Sequence, residues 1–273
     1  MKNFQSFQSY FHFQKYVKNF NRFFLDNKNK QFFEALKETC NSRIIDFKKG
    51  NNLWRAQLGY RNRPYYQDGE HVTDIPYPVD TKRMKPIKDQ AFEGRANPKG
   101  ISYLYLSSDK ETAMAEIRPW IGMYISVGQF KIVKDLKLVD FSKDNKRSAF
   151  LIFGPNQDKE VEDYIWASIN NAFSTPVTPT DNKAEYVPTQ IISEFIKNMN
   201  FDGIVYKSSL SDGYNIALFD TDSAEQINCF LFELKKIKFD FSETGESYFI
   251  KEYYKITKKN ALPAHRADET PTG

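Results

Sequence analysis

Aromatic residues recur at three- and four-residue steps through the first 47 positions: Phe4, Phe7, Phe11, then Phe13, Tyr16, Val17, Phe20 and Phe24. Asp26-Asn27 breaks the pattern, and Phe32, Phe33 and Leu36 resume it. That spacing keeps one stripe of a helix apolar and predicts an amphipathic helical pair with a wide aromatic face. Such a face packs on the rest of the chain or is offered to a partner or a second copy.

After Gly50-Asn51-Asn52, a turn signal, the period shortens. Leu53–Ala56, Ile101–Leu106, residues 124–141, Ile204–Tyr206 and Asn215–Phe219 read as strands. Residues 226–238 and 246–256 read as a last strand pair around Glu243-Thr244-Gly245. Helical spacing returns at residues 159–174 (Val161, Tyr164, Ile165, Ile169) and at Val187–Met199. Residues 61–93, rich in Pro, Tyr, Asp and Lys, follow neither period and read as a long ordered loop. Ser108 and Glu111 match a capping box that starts a helix near Asp109, and Pro119 ends it. The fold expected is α+β: a helical extension over residues 1–49, a domain over 50–258 and an unpatterned tail over 259–273. With no Gly-x-Gly-x-x-Gly after a strand and no P-loop, a doubly wound nucleotide fold is disfavoured.

Composition narrows the class. The 273 residues are 40% hydrophobic and 16% aromatic, enough for a sizeable core and too apolar for extended disorder. A net charge of +4 without a dense Lys/Arg block argues against a nucleic-acid partner. No apolar run approaches the ~20 residues of a membrane span, and the aromatics of the N-terminus are interrupted by Gln, Ser and His, unlike a signal-peptide core. Cys40 and Cys229 stand far apart, and His12, His71 and His265 are scattered, so neither a zinc spacing nor a Cys–His pair is visible. Both cysteines read as buried or free thiols of a reducing compartment, which points to the cytoplasm.

The candidate chemistry lies at strand ends. Arg55 is in the first strand, Arg95 precedes another, Tyr105 is within it, and Ser208 and Asn215 bracket the loop between the next two. Glu116 stands beside Ala113 and Ala115, where a helix would normally present larger apolar residues. It is either a solvated glutamate paired with Arg118 or Lys110, or a carboxylate facing a pocket into which small neighbours admit a ligand.

The ordered set resembles the RES domain family, named for its Arg, Glu and Ser. The matching stretches are WRAQ (Arg55), EGRANPKGISYLYLSSDKETAMAE (Arg95, Tyr105, Glu116) and YVPTQIISEFIKNMNFDGIVYKSSLSDGYNIALF (Ser208, Asn215), spanning roughly residues 50–222. One departure is that Lys207 stands where the family usually has Pro, and Ser209 adjoins Ser208, so the register of the serine stays open by one. The resemblance implies an ADP-ribosyltransferase-like mixed sheet with flanking helices. It also implies consumption of NAD+ by a toxin paired with a helix-turn-helix antitoxin.

On that reading Arg55, Glu116 and Ser208 are the candidate catalytic residues, and Arg95, Tyr105, Asn215, Ser209 and Tyr60 the candidate binders of NAD+. Arginine forks suit a pyrophosphate. A carboxylate near the ribose stabilises the positive charge that develops as the nicotinamide–ribose bond breaks. An aromatic face such as that of Tyr105, or of Tyr60, Tyr65 or Tyr66, suits a cationic pyridinium. Ser208 would hydrogen-bond the ligand, and Asn215 would do the same or hold the Ser208–Gly213 loop. Nicotinamide leaves neutral, so neither a general acid nor a metal or further cofactor is called for. Three readings follow: NAD+ cleavage with water or phosphate as acceptor, ADP-ribosyl transfer to a macromolecule, or a non-enzymatic module working through residues 1–47, with an antitoxin or regulatory partner or a homo-oligomer.

Overall fold

The computed structural model describes residues 3–87, 90–143, 157–175, 183–238, 240–243 and 245. Residues 1–236 make one compact unit; residues 237–273 are a second, few of which are described.

Two helices open the chain, α1 (Ser9–Asn19) and α2 (Asn27–Cys40). The break between them is a helix start: the Asp26 carboxylate accepts the Asn29 N–H at 2.8 Å. The strands are β1 (Ile44–Phe47), β2 (Asn52–Leu58), β3 (Arg61–Gln67), β4 (Glu70–Tyr77), β5 (Leu104–Ser107), β6 (Tyr124–Ile132), β7 (Leu136–Asp140), β8 (Gly203–Lys207), β9 (Tyr214–Leu218) and β10 (Ala224–Glu233). The remaining helices are α3 (Thr81–Met84), α4 (Lys110–Glu116), α5 (Gln157–Ser174) and α6 (Val187–Asn198). Eight strands form one mixed sheet in the order β1-β7-β8-β9-β5-β2-β6-β10, in which only β7 and β8 run parallel. The mixed α+β architecture with flanking helices is that expected from the sequence.

The period-two alternation sorts side chains between two cores. Tyr103, Ile204, Tyr206 and Ala217 face an aromatic layer built with Phe13, Phe32, Phe33, Trp166 and Phe173 of α1, α2 and α5. Leu104, Leu106, Val205, Ile216 and Leu218 face an aliphatic layer closed by Val79 and Met84. The N-terminal helices therefore pack on the sheet within the same compact unit. Gly203 permits the tightest strand contact, since a Cβ there would lie 2.5 Å from the Ala217 carbonyl.

Several local expectations are corrected. The N-terminal stretch is not helical to residue 47: Ile44–Phe47 joins the sheet beside β7, as its β-branched and aromatic residues favour. Residues 61–93 are not one loop, because β3 and β4 form a hairpin. Asp68 (φ 53°) and Gly69 (φ 86°) supply its tight turn. The helix after β5 is capped by Asp109 rather than Ser108: the Asp109 carboxylate accepts the Thr112 N–H at 2.7 Å, while the Ser108 hydroxyl donates to Asp109 at 2.6 Å. The strand expected at 226–238 is β10. The one expected at 246–256, and the tail over 259–273, lie outside the described residues.

Candidate functional site

The site forms where the sheet splits. β2 and β5 pair at Trp54 and Ser107 alone, whereas β2 stays paired with β6 along its whole length. A cleft of about 320 Å³ opens there, walled by Arg55, Arg95, Tyr105, Ala113, Glu116 and Asn215. Its floor is a cross-strand row, Trp54, Ser107, Asn215 and Tyr206, in successive register pairs of β2, β5, β9 and β8.

Glu116 ends α4, where the helix dipole disfavours a carboxylate. Two donors offset that cost. The Ser208 hydroxyl donates to Glu116 Oε1 at 2.7 Å and Asn215 Nδ2 donates to the same oxygen at 2.6 Å. Asn215 is oriented in turn by the Ser107 hydroxyl, which donates to its Oδ1 at 2.9 Å. Oε2 receives no hydrogen bond from the described residues, and Glu116 pairs with neither Arg118 nor Lys110. The Lys110 ammonium lies instead 4.6 Å from the Trp54 ring centroid and 4.7 Å from that of Phe230. Of the two alanines, Ala113 lines the cleft.

The start of α4 is fixed as firmly as its end. Burial works against charge on Asp109, but hydrogen bonds from Ser108 and Thr112 outweigh it and hold the carboxyl below the usual range. Gly213 packs against this cap. A Cβ at that position would lie 2.1 Å from Thr112 Oγ1 and 2.3 Å from Asp109 Oδ2, so the strand carrying Asn215 depends on that glycine.

Arg55 reaches across the split in the sheet, its Nη1 donating to the Tyr105 carbonyl at 3.1 Å. Its Nε is buried and has no hydrogen-bond partner among the described residues, and none of their carboxylates pairs with the guanidinium. Burial pulls its pKa down against the opposing pull of Tyr105. A buried cation without a counter-ion is costly unless an anion joins it.

Arg95 sits in a turn closed by the Gly94 N–H donating to the Asn97 carbonyl at 2.9 Å, and its Nη1 donates to the Phe173 carbonyl near the end of α5. The Tyr105 hydroxyl accepts the Ala96 N–H at 3.0 Å and donates to Asn97 Oδ1 at 2.7 Å. Burial pushes this phenol up to about 12.

The structure therefore gathers Arg55, Arg95, Tyr105, Glu116, Ser208 and Asn215. It separates Ser209, whose hydroxyl donates to the Ser174 carbonyl at 2.9 Å and ties the loop to α5. Tyr60 also lies apart, packed on Tyr124 with ring centroids 4.7 Å apart, and Tyr65 and Tyr66 are exposed on the hairpin. Sequence reasoning passed over Trp54, Tyr186, Tyr206 and Gln190. Tyr206 lines the cleft, and its hydroxyl bonds no described residue. Burial drives that phenol far above its ordinary pKa, with Tyr105 and Glu116 adding to the effect and Arg95 opposing it. Tyr206 and Gln190 belong to the quoted Asp-Gly-Ile-x-Tyr and Gln-x-Ile stretches, so a signal for both was present. Among the described residues no three His, Cys, Asp or Glu side chains stand together as a metal site would require. No described helix is long and apolar enough to cross a membrane, and both cysteines are free.

Comparison with known proteins gives two matches. The family model described as RES domain covers residues 71–236, more than half of the chain; Arg55 precedes the match and the other gathered residues fall within it. A chain of the M. tuberculosis MbcT–MbcA toxin–antitoxin complex is similar in structure. It is 11% identical, with a TM-score of 0.37, over 73% of this chain and 93% of that one. No curated protein matches in sequence.

Proposed function

The chain belongs to the RES domain family, and from that premise we propose that its cleft cleaves the nicotinamide–ribose bond of NAD+. The observation that carries this reading is the pairing of Glu116 with Arg55. One carboxylate oxygen is anchored by two donors while the other receives none from the described residues, and an arginine without a counter-ion among those residues shares the cleft. Family resemblance supplies NAD+ as the substrate. The residue chemistry supplies the roles.

Arg55 and Arg95 would take the pyrophosphate, whose charge compensates a buried guanidinium. The free Glu116 oxygen would face the ribose. As the C–N bond breaks, its electron pair leaves with nicotinamide, which departs neutral, and the positive charge passes to the ribose beside the carboxylate. Ser208 and Asn215 keep Oε1 occupied and so aim Oε2. Tyr105 is held by its hydroxyl, which leaves its ring as the surface it can offer; Tyr206 adds a free phenol. The acceptor, water or phosphate, then bonds to the ribose carbon, releasing a proton when it is water. Loss of NAD+ would make the protein a toxin or defence effector. An antitoxin-like partner that covers the cleft would silence it, and a reducing cytoplasm suits both the substrate and two free thiols.

The test is to incubate the purified protein with NAD+, with and without phosphate, and to follow nicotinamide and the ribose-bearing product by chromatography. ADP-ribose formed in water alone identifies a glycohydrolase, and a phosphorylated product formed only with phosphate identifies a phosphorylase. NAD+ left intact under both conditions overturns the reading.

A further inference from the structure

We propose that Gln190 is the positioning residue that fixes Arg95 and Tyr105 in the cleft. Gln190 lies in the first turn of α6 and is buried, 9% exposed. Its side-chain amide donates to the Gly94 carbonyl at 2.9 Å and to the Asn97 carbonyl at 3.1 Å. Those two carbonyls flank Arg95. One amide group therefore holds both ends of the turn that presents the guanidinium.

The turn accepts this clamp because it is saturated elsewhere. Asn97 Nδ2 donates to the carbonyls of Phe92 at 2.9 Å, Pro98 at 3.2 Å and Ile101 at 2.8 Å. Asn97 Oδ1 accepts from Tyr105, and Tyr105 accepts from Ala96. A Cβ at Gly94 would lie 2.7 Å from Asn97 Oδ1 and 2.8 Å from the Tyr105 hydroxyl, so the backbone closes on the phenol with no room to spare. Gln190 is the donor that ties this cluster to α6. That helix is itself braced by the N-terminal pair: Phe33 packs on Phe195 with centroids 4.6 Å apart, and Lys18 pairs with Glu185 just ahead of it. Removing the amide leaves the half-buried Gly94 carbonyl without its donor and the Asn97 carbonyl with the Gly94 N–H alone, which frees the turn to swing and is felt at Arg95 before it is felt at Glu116.

The consequence for turnover rests on the NAD+ reading; the clamp itself does not. The experiment has two arms on the full chain carrying Gln190→Met, which keeps length and volume and removes the donor. Amide hydrogen exchange at Gly94 and Ala96 is expected to quicken roughly tenfold or more while β6 amides keep their protection. KM for NAD+ is expected to rise about tenfold with kcat within about twofold of wild type, as for lost positioning of a binding group. Should Gln190→Met lower protection across the whole sheet, Gln190→Asn, whose amide stops one methylene short, is read in its place. Unchanged exchange at Gly94 and Ala96 overturns the clamp whether or not NAD+ is the substrate. Faster exchange with KM unchanged overturns the link to Arg95. Wild-type protein that leaves NAD+ intact refutes the functional reading alone, and the exchange arm still decides the clamp.

Discussion

The Gly94–Asn97 turn and the β3–β4 hairpin both lie between β2 and β5 in the chain, and both carry arginine and asparagine. Their fates differ. Every residue of the hairpin strands is exposed, and its arginines settle on the hairpin's own surface: the Arg61 and Arg63 guanidiniums lie 5.2 and 5.1 Å from the Tyr77 ring. The turn spends its polar groups inward, on Gln190, Asn97 and Tyr105, and so holds Arg95 at a cleft. A lone two-stranded hairpin is marginal in water, whereas a turn locked by buried hydrogen bonds keeps one geometry. Residue type alone does not make a site; what anchors the backbone behind it does.

That contrast can be attacked from its strongest side first. Glu116→Gln should lower turnover by about 10²–10⁴-fold with an unchanged melting temperature, since the amide keeps the volume and loses the charge. Steady-state nicotinamide release checks it.

Alkaline unfolding comes next. The Tyr105 phenol is raised from 10.0 to about 12, so the folded state favours the protonated form. Its share of stability is complete below pH 10 and is lost as pH rises toward 12, a fall of roughly 3 kcal/mol across that window. Urea unfolding at pH 8.5 and 11.5 should show a steeper loss for wild type than for Tyr105→Phe.

Glycine substitutions sharpen the comparison. Gly94→Ala should cost about 1–3 kcal/mol and raise KM, because its methyl strikes Asn97 and Tyr105. Gly69→Ala, with open space around it and φ of 86°, should cost about 1 kcal/mol and leave turnover alone. Between the adjacent serines, Ser208→Ala should slow turnover about tenfold by loosening Glu116, and Ser209→Ala should change it less than twofold. Smallest of all, Tyr65→Ser and Tyr66→Ser on the exposed hairpin should shift stability by no more than about 0.5 kcal/mol.

Much of this site was legible along the chain. Arg95, Glu116, Ser208 and Asn215 were each weak signals near strand ends, and it was their order, which resembles that of the RES family, that singled them out. Arg55 was legible as a strand arginine, but the splitting of β2 from β5 that turns it into the cleft is a tertiary fact. The hairpin escaped notice because both its faces meet solvent, so no alternation marks it; Asp68-Gly69 was the remaining cue. Tyr60 was taken as an aromatic alternative to Tyr105 and Tyr206 was passed over, whereas the floor of the cleft is set by cross-strand register, which pairs Tyr206 with Asn215. The aromatic stripe of the N-terminus left packing and a partner surface both open; Phe4, Phe13, Phe32 and Phe33 pack into the core, while Phe20 and Phe24 at its far end stay 75% and 76% exposed.

The central claim is that a carboxylate aimed by Ser208 and Asn215 breaks the glycosidic bond of NAD+. The direct measurement is nicotinamide release from NAD+ by wild type and Glu116→Gln in parallel, at equal protein concentration and confirmed fold. Multiple turnovers by wild type and none above background by the variant are predicted. Equal release by the two, or no release by either, would contradict the account.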